Sequence, residues 1–346
     1  MNVLLVRTSA LGDVVHCLPV LTALRRHLPE ARIGWVVDRA FAPLLEGHPD
    51  LDEVLPVGLR AWRGRALAAG TRREARAFLR RLRAFRADVA LDLMGNHKAG
   101  VLARLSGARR RIGPARAGRR EPSSALWVNE TAPARGVHAV ERALAVLSPL
   151  GVPAEPADFG GARLPGEAPA GTAGEPAPAA PRFALLHPGA GWGSKVYPAE
   201  RWAEVARGLA QRAGVETRVA LSPSPAERAA AARIVELAAG AAATAEVAEL
   251  PALVAWSRRA SLVLGGDTGP VHLAHAVGTP VVCVMGPTDP ARHGPYGAPE
   301  RALARPLPCS YCYRRFPSTK ACLLEIEPRD VVERAVYMLL DSAPVP

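Results

Sequence analysis

The run Gly265-Gly266-Asp267-Thr268-Gly269-Pro270 carries the residue types that end a buried strand and open a helix. Residues 261–266 (SLVLGG) predict the strand, and residues 271–277 predict a short helix. Asp or Thr caps such a helix, Gly permits close backbone approach, and Pro fits its first turn. A helix opening at the carboxyl end of a parallel strand turns free N–H groups and a partial positive charge toward its ligand. His272 and His275 fall within the first two turns, and a second turn, Gly286-Pro287-Thr288-Asp289-Pro290, follows the next predicted strand at 280–285. An ordinary strand–helix–strand unit with a capped helix would account for Asp-Thr-Gly alone. The block as a whole favours an anion site.

Two further loops have chemistry to offer. Pro188-Gly189-Ala190-Gly191-Trp192-Gly193-Ser194-Lys195 follows a predicted strand at 183–187. Three glycines and a lysine ahead of a helix suit phosphate binding, with Lys195 as a mobile point charge. Its spacing is not that of a Walker loop. Arg7-Thr8-Ser9-Ala10-Leu11-Gly12-Asp13 follows the first predicted strand and holds one glycine, which argues against a dinucleotide cradle. Asp13 either caps the next helix or acts as a general base; composition alone favours the cap. Two anion-suited loops in one half and an acid in the other suggest a nucleotide-diphosphate donor opposite an acceptor.

These loops need strands and helices to position them, and βα units recur in two rounds. Strands are predicted at 2–6, 33–37, 54–57 and 89–93, with helices at 14–27, 71–85 and 97–105. A Pro-, Ala- and Gly-rich stretch at 165–181 reads as a linker. The second round has strands at 183–187, 217–221 and 261–265 and helices at 199–212, 226–239 and 250–258, and a terminal helix covers 328–340. Alternation of this kind means parallel sheets with helices on both faces. The expected fold class is α/β, with two Rossmann-like domains facing each other across a cleft. The expected boundaries are 1–164 for the acceptor domain, 165–181 for the linker and 182–327 for the donor domain. Residues 328–346 are expected to pack back on the first domain.

The chain has 346 residues, of which 49% are hydrophobic, enough for two sizeable cores. No run of eighteen apolar residues occurs, and the N-terminus lacks a signal-peptide pattern, so a cytoplasmic protein is expected. Cys17 and Cys283 lie in apolar segments as buried thiols; Cys309, Cys312 and Cys322 form a C-x2-C-x9-C cluster. A zinc site would want a fourth ligand, His293 being the nearest candidate, and a reduced or incidental cluster is favoured, so no metal is assigned. Net charge is +12, with ten arginines against the single acid Glu74 between Arg60 and Arg86. A GC-rich genome would enrich arginine by itself, but the clustering implies an anionic partner: nucleic acid, anionic lipid or a phosphorylated sugar. Sparse aromatic residues argue against a single-strand stacking platform.

Beyond these readings the chain resembles the ADP-heptose glycosyltransferases, a family of GT-B fold. The resemblance runs through VLLVRTSALGDVVHCLPVLTAL (3–24), WVVDRAFAPLLEGHPDLDEVLPVGLRAWR (35–63), the Lys98 segment and RREPSSALW (119–127). It continues through HAVERALAVL (138–147), LLHPGAGWGSKVYPAERW (185–202), GGDTGPVHLAHA and GPTDPARHGPYG (286–297). WVVDRAF and REP favour the branch that adds the first inner-core heptose. The resemblance implies an inverting, metal-independent transfer of L-glycero-D-manno-heptose from ADP-heptose to Kdo of Kdo2-lipid A. No cofactor or nucleic acid is implied, and the enzyme would work peripherally at the anionic cytoplasmic face of the inner membrane. It makes Asp13 the catalytic base and Lys195 a ligand of the donor phosphates, with Gly189 and Ala190 in its loop. Asp267, Thr268, Gly269 and His272 would line the ADP-heptose site. Arg60, Arg63, Lys98 and Arg120 fall where the family contacts its phosphorylated acceptor. The chain departs from close relatives in a glycine loop without threonines, in the cysteine cluster, and in lacking a clear ribose-binding glutamate, Glu227 being a weak candidate. Alternatives are a family member acting on an already heptosylated core, an NAD-dependent dehydrogenase, with Asp38 placed for ribose, and a nucleic-acid-binding protein.

Overall fold

The computed structural model describes residues 1–65, 68–153, 156–166 and 182–341. Contact clustering divides the chain into two units, Met1–Pro165 and Gly166–Pro346. Most of the expected linker lies outside the described residues.

The first unit is built on β1 (Asn2–Val6), β2 (Arg32–Asp38), β3 (Glu53–Val57), β4 (Val89–Asp92), β5 (Arg110–Pro114) and β6 (Glu130–Ala132). They form one parallel sheet in the order β3-β2-β1-β4-β5-β6. Its helices are α1 (Leu11–Val15), α2 (Leu18–His27), α3 (Leu59–Trp62), α4 (Ala69–Ala84), α5 (His97–Leu105) and α6 (Ala139–Leu144). Helix α4 buries little more than Phe78 and Leu82, one turn apart, and these pack with Phe85 against Leu4, Val36 and Leu55 of the sheet. The rest of α4 is left to its arginines.

The second unit repeats the plan. Strands β7 (Phe183–His187), β8 (Glu216–Leu221), β9 (Ala242–Glu246), β10 (Leu262–Gly266), β11 (Val281–Met285) and β12 (Ala302–Ala304) run parallel in the order β12-β11-β10-β7-β8-β9. Its helices are α7 (Ala199–Ala213), α8 (Pro225–Leu237), α9 (Leu250–Arg259), α10 (Gly269–Ala276), α11 (Pro290–His293), α12 (Ala321–Leu324) and α13 (Pro328–Asp341). Trp202, Val205 and Leu209 of α7 pack with Ile234 of α8 and with Leu264 and Val284 of the sheet.

One expectation is corrected, and the structure adds two features. The single helix expected at 14–27 breaks at His16–Cys17, because Pro19 has no N–H and belongs in the first turn of a new helix, α2. The terminal helix packs within the second unit. Its residues Val331, Val332, Ala335, Met338 and Leu339, spaced as one helical face, join the second unit's core beside Trp202 and Leu209. Gly208 of α7 lets the two helices approach, since a Cβ there would lie 2.7 Å from Val332. Four short strands, β5, β6, β9 and β12, also went unforeseen. They are polar or alanine-rich and outlying in their sheets; Arg110 of β5 is neutralised by a bidentate pair with Glu130 of β6.

Candidate active site

Each sheet reverses its build direction once, between β1 and β4 in the first unit and between β7 and β10 in the second. The loops leaving such neighbouring strands diverge and leave a crevice at the strand carboxyl ends. The first crevice is framed by residues 7–13 and 93–96, and the second by the glycine loop and the Asp267 turn.

In the second unit Asp267 is the hub. Its carboxylate accepts from Lys195 Nζ and, at 2.6 Å, from Thr288 Oγ1, both through Oδ2. His272 Nε2 meets Oδ1 at 2.9 Å. Burial alone would raise the carboxyl's pKa, but the His272 hydrogen bond and the Lys195 charge outweigh it and hold it well below the usual range. These neighbours favour the anionic form of Asp267. Lys195 also reaches the Asp267 carbonyl at 3.3 Å, so two of its three N–H donors are spoken for.

Thr268 is the N-cap of α10, yet neither it nor Asp267 caps the helix with its side chain: Thr268 Oγ1 turns back to the Gly266 carbonyl, 3.3 Å away. The opening turn of α10 is half-exposed, and no side chain caps its N–H groups. Gly189 and Ala190 face it half-exposed from the glycine loop. A Cβ at 189 would lie 2.3 Å from the Glu227 carboxyl carbon, so a larger residue there would displace the Glu227 carboxylate. Glu227, held by Ser222 Oγ and Ser224, thus sits against the glycine loop. His275 is structural, its Nε2 lying 2.8 Å from the Tyr296 carbonyl.

In the first unit Asp13 occupies the first turn of α1. Its Oδ2 accepts from Ala10 N–H at 3.1 Å and its Oδ1 pairs with Arg7 at 2.6 Å. The cap reading is thus realised, and the carboxylate, with 36% of its side chain exposed, still reaches the surface. Arg7 is half-buried and also donates to the Leu93 carbonyl, tying the two crevice loops together. Burial opposes the Arg7 charge, but Asp13, Cys17 and Asp92 more than restore it, and its pKa is raised. Behind it Asp92 and Arg119 form a fully buried ion pair. Arg119 also donates to Ser124 Oγ and the Pro114 carbonyl.

The four candidate acceptor contacts are exposed. Lys98, in the first turn of α5, and Arg120 flank one loop, because Gly95 packs against the backbone of Arg119 and Arg120. Arg60 and Arg63 lie on or beside α3, beyond β3, and Arg60 stacks on Phe41 at 5.4 Å. The structure thus gathers Lys195, Asp267, Thr268, Gly269, His272, Gly189 and Ala190 around one crevice, and Asp13 and Lys98 around the other.

Sequence reasoning missed several participants. Thr288 stood in a quoted turn, but only folding reveals that its hydroxyl meets Asp267. Residues 309–320 brace the glycine loop: Ser194 N–H donates to the Phe316 carbonyl at 3.0 Å and Ser194 Oγ to the Arg314 carbonyl at 2.9 Å. Tyr313 N–H donates to the Pro287 carbonyl at 2.9 Å, linking the brace to the Thr288 turn. No group of three or more His, Cys, Asp or Glu with metal-holding geometry occurs among the described residues, Cys309, Cys312 and Cys322 included.

A sequence profile described as glycosyltransferase family 9 (heptosyltransferase) matches residues 75–322. The chain belongs to this family. As a family 9 member it is an enzyme of the glycosyltransferase class. It is 35% identical to lipopolysaccharide heptosyltransferase 1 of Pseudomonas aeruginosa over 327 residues, covering 91% of this chain and 87% of the relative. It is 31% identical to lipopolysaccharide heptosyltransferase 1 of Escherichia coli K12, covering 88% and 94%. The solved structure of E. coli heptosyltransferase WaaC with ADP matches with a TM-score of 0.78 at 27% identity over 99% of both chains. E. coli heptosyltransferase II matches with 0.72 at 20% identity, also over 99% of both chains, a likeness of fold. The two six-stranded parallel sheets with flanking helices are the GT-B pattern expected from the sequence.

Proposed function

We propose that this family 9 enzyme moves L-glycero-D-manno-heptose from ADP-heptose to Kdo of Kdo2-lipid A, as a lipopolysaccharide heptosyltransferase I. The observation that carries the donor half is the Asp267 hub: an ammonium, an uncapped helix N-terminus and a glycine loop converge where a diphosphate would sit. A solved relative with ADP and one with ADP-2-deoxy-2-fluoro heptose support that donor. The Kdo acceptor rests on the heptosyltransferase 1 relatives, which match at 30–35% identity, against 25% for a heptosyltransferase 3.

In this reading Lys195 spends its remaining N–H on a phosphate oxygen, and the α10 N–H groups and glycine-loop amides take the others. Glu227, against Gly189, is placed for the donor ribose. Asp13 accepts the proton from the acceptor hydroxyl as its oxygen attacks the anomeric carbon opposite the departing ADP, inverting that centre. Arg7 pairs with Asp13 and orients it. Charge building on ADP meets fixed dipoles and a cation, the role a metal ion serves elsewhere. EDTA is expected to leave turnover intact; loss restored by Mg²⁺ would overturn the metal-free scheme. Arg60, Arg63, Lys98 and Arg120 contact the acceptor's anionic groups.

The enzyme is proposed to work at an anionic membrane surface on the cytoplasmic side. No helix among the described residues is long and apolar enough to cross a membrane. Support for surface docking comes from α4, where exposed Arg72, Arg76, Arg80 and Arg83 form one stripe.

The deciding experiment incubates the enzyme with ADP-heptose and heptose-less lipopolysaccharide, reading ADP release and product mass. Transfer to the Kdo-terminated acceptor is expected. Activity confined to an already heptosylated core would move the assignment to a later step of the same family.

A further inference from the structure

Charge balance around Asp267 leaves the donor crevice short of a cation. The Lys195 ammonium and the Asp267 carboxylate form a close pair with side chains 14% and 7% exposed, so together they bring no net charge to a bound diphosphate. Asp267 does not relieve this by protonating, since its neighbours favour the anionic form. A helix N-terminus offers about half a charge, against the two or more carried by a nucleoside diphosphate.

The brace at 309–320 carries the missing group. Three hydrogen bonds fix it to the glycine loop, two through Ser194 and one from Thr319 Oγ1 to the Val196 carbonyl at 2.7 Å. Close packing confirms the fit, because no side chain is tolerated at Gly193, where a Cβ would lie 2.0 Å from the Pro317 carbonyl oxygen. Arg315 therefore stands over Trp192 of the glycine loop, its guanidinium carbon 4.7 Å from the ring centroid. Lys195 Nζ lies 4.4 Å from the same centroid. Both cations thus border the same ring of the glycine loop. Unlike Lys195, Arg315 is exposed and makes no ion pair with an acid among the described residues.

We propose that Arg315 is a donor-binding residue, supplying from the brace the uncompensated positive charge that engages the diphosphate of the nucleotide sugar. This rests on the donor reading above and deepens it. A guanidinium suits the task, since its fork donates two parallel hydrogen bonds to phosphate oxygens and it remains charged at any working pH. The glycine loop of this chain, Pro188–Lys195, has one hydroxyl, and Ser194 spends it on the Arg314 carbonyl, so Arg315 offers donors that the loop's side chains do not.

The test compares ADP with adenosine, which lacks phosphates, by calorimetric titration and competition for wild type, Arg315→Gln and Arg315→Lys. Arg315→Gln is expected to weaken ADP about 10- to 100-fold, to leave adenosine unchanged and to raise KM for ADP-heptose more than it lowers kcat. Arg315→Lys should recover part of the ADP affinity. Unchanged ADP affinity and KM in Arg315→Gln would overturn the proposal while leaving the donor reading in place. Equal weakening of ADP and adenosine would also overturn it, assigning Arg315 to support of Trp192 alone. A wild type that binds no ADP would sink the donor reading itself.

Discussion

In the proposed mechanism Asp13 is one carboxylate that serves structure and chemistry together. Its bonds to Ala10 N–H and Arg7 orient it, and its exposed edge is left for a substrate proton. Asp13→Asn keeps the shape and removes the base, so turnover should fall about 10²- to 10⁴-fold with ADP affinity retained. A wild-type turnover in that variant would end the assignment. Thr288→Val should act on the other crevice, loosening Asp267 and weakening ADP-heptose binding by about 1 kcal/mol, a several-fold rise in KM. His187, the residue before the glycine loop, is buried, and its Nε2 has no hydrogen-bond partner among the described residues. Burial pushes its pKa down to about 4, whereas the unfolded chain takes up the proton near 6.5. The lowered value favours the neutral form, so its contribution is full above about pH 6.5 and is lost as pH falls toward 4. The loss amounts to about 3 kcal/mol. Urea midpoints at pH 7.5 and 4.5 should diverge more for wild type than for His187→Gln; identical slopes would refute this. Of these residues, Asp13 and Lys195 were legible in the sequence because loop, charge and strand end coincide there. Thr288 and Arg7 were not, since their partners lie 21 residues away in one case and 86 in the other.

At the level of elements, strong patterns were readable and weak ones were not. Strands such as β1, β10 and β11 are unbroken apolar runs, and α4 and α7 show apolar residues at helical spacing. Strand β9, Ala-Ala-Thr-Ala-Glu, has no such signature and exists because β8 offers it a ladder at the sheet's end. The partner of α13 was equally invisible: its apolar face demands burial but does not name the surface. Two glycines test the packing. Gly208→Val should destabilise the second unit by about 1–3 kcal/mol, because the added side chain meets Val332 across the α7–α13 contact. Gly70, in α4, has nothing within 4 Å of a Cβ, and Gly70→Ala should stabilise by about 0.5–1 kcal/mol. Thermal melts of both variants check the pair, and a neutral Gly208→Val would refute the close approach.

For the whole molecule, the net charge of +12 is concentrated enough to act as a surface device. Arginines along α4 have little else to bind: Glu74, its single acid, is already shared between Trp62 Nε1 and Arg39. Replacing Arg72, Arg76, Arg80 and Arg83 by Gln should abolish most sedimentation with anionic vesicles, at about 1 kcal/mol per charge and falling with salt. Turnover on a water-soluble Kdo acceptor should not change; undiminished vesicle binding would refute the docking face. The chain by itself determined the α/β class, the doubled βα plan, the anion-suited loops and the family. Each of these follows from local periodicity, from loop chemistry at strand ends, or from long runs of similar residues. Tertiary structure alone decided that Asp267 spends its charge on Lys195, His272 and Thr288, that the cysteine-bearing segment braces the glycine loop, and that Arg315 reaches Trp192. Those contacts join residues far apart in the chain, and the sheet order that brings them together leaves no mark on the local pattern.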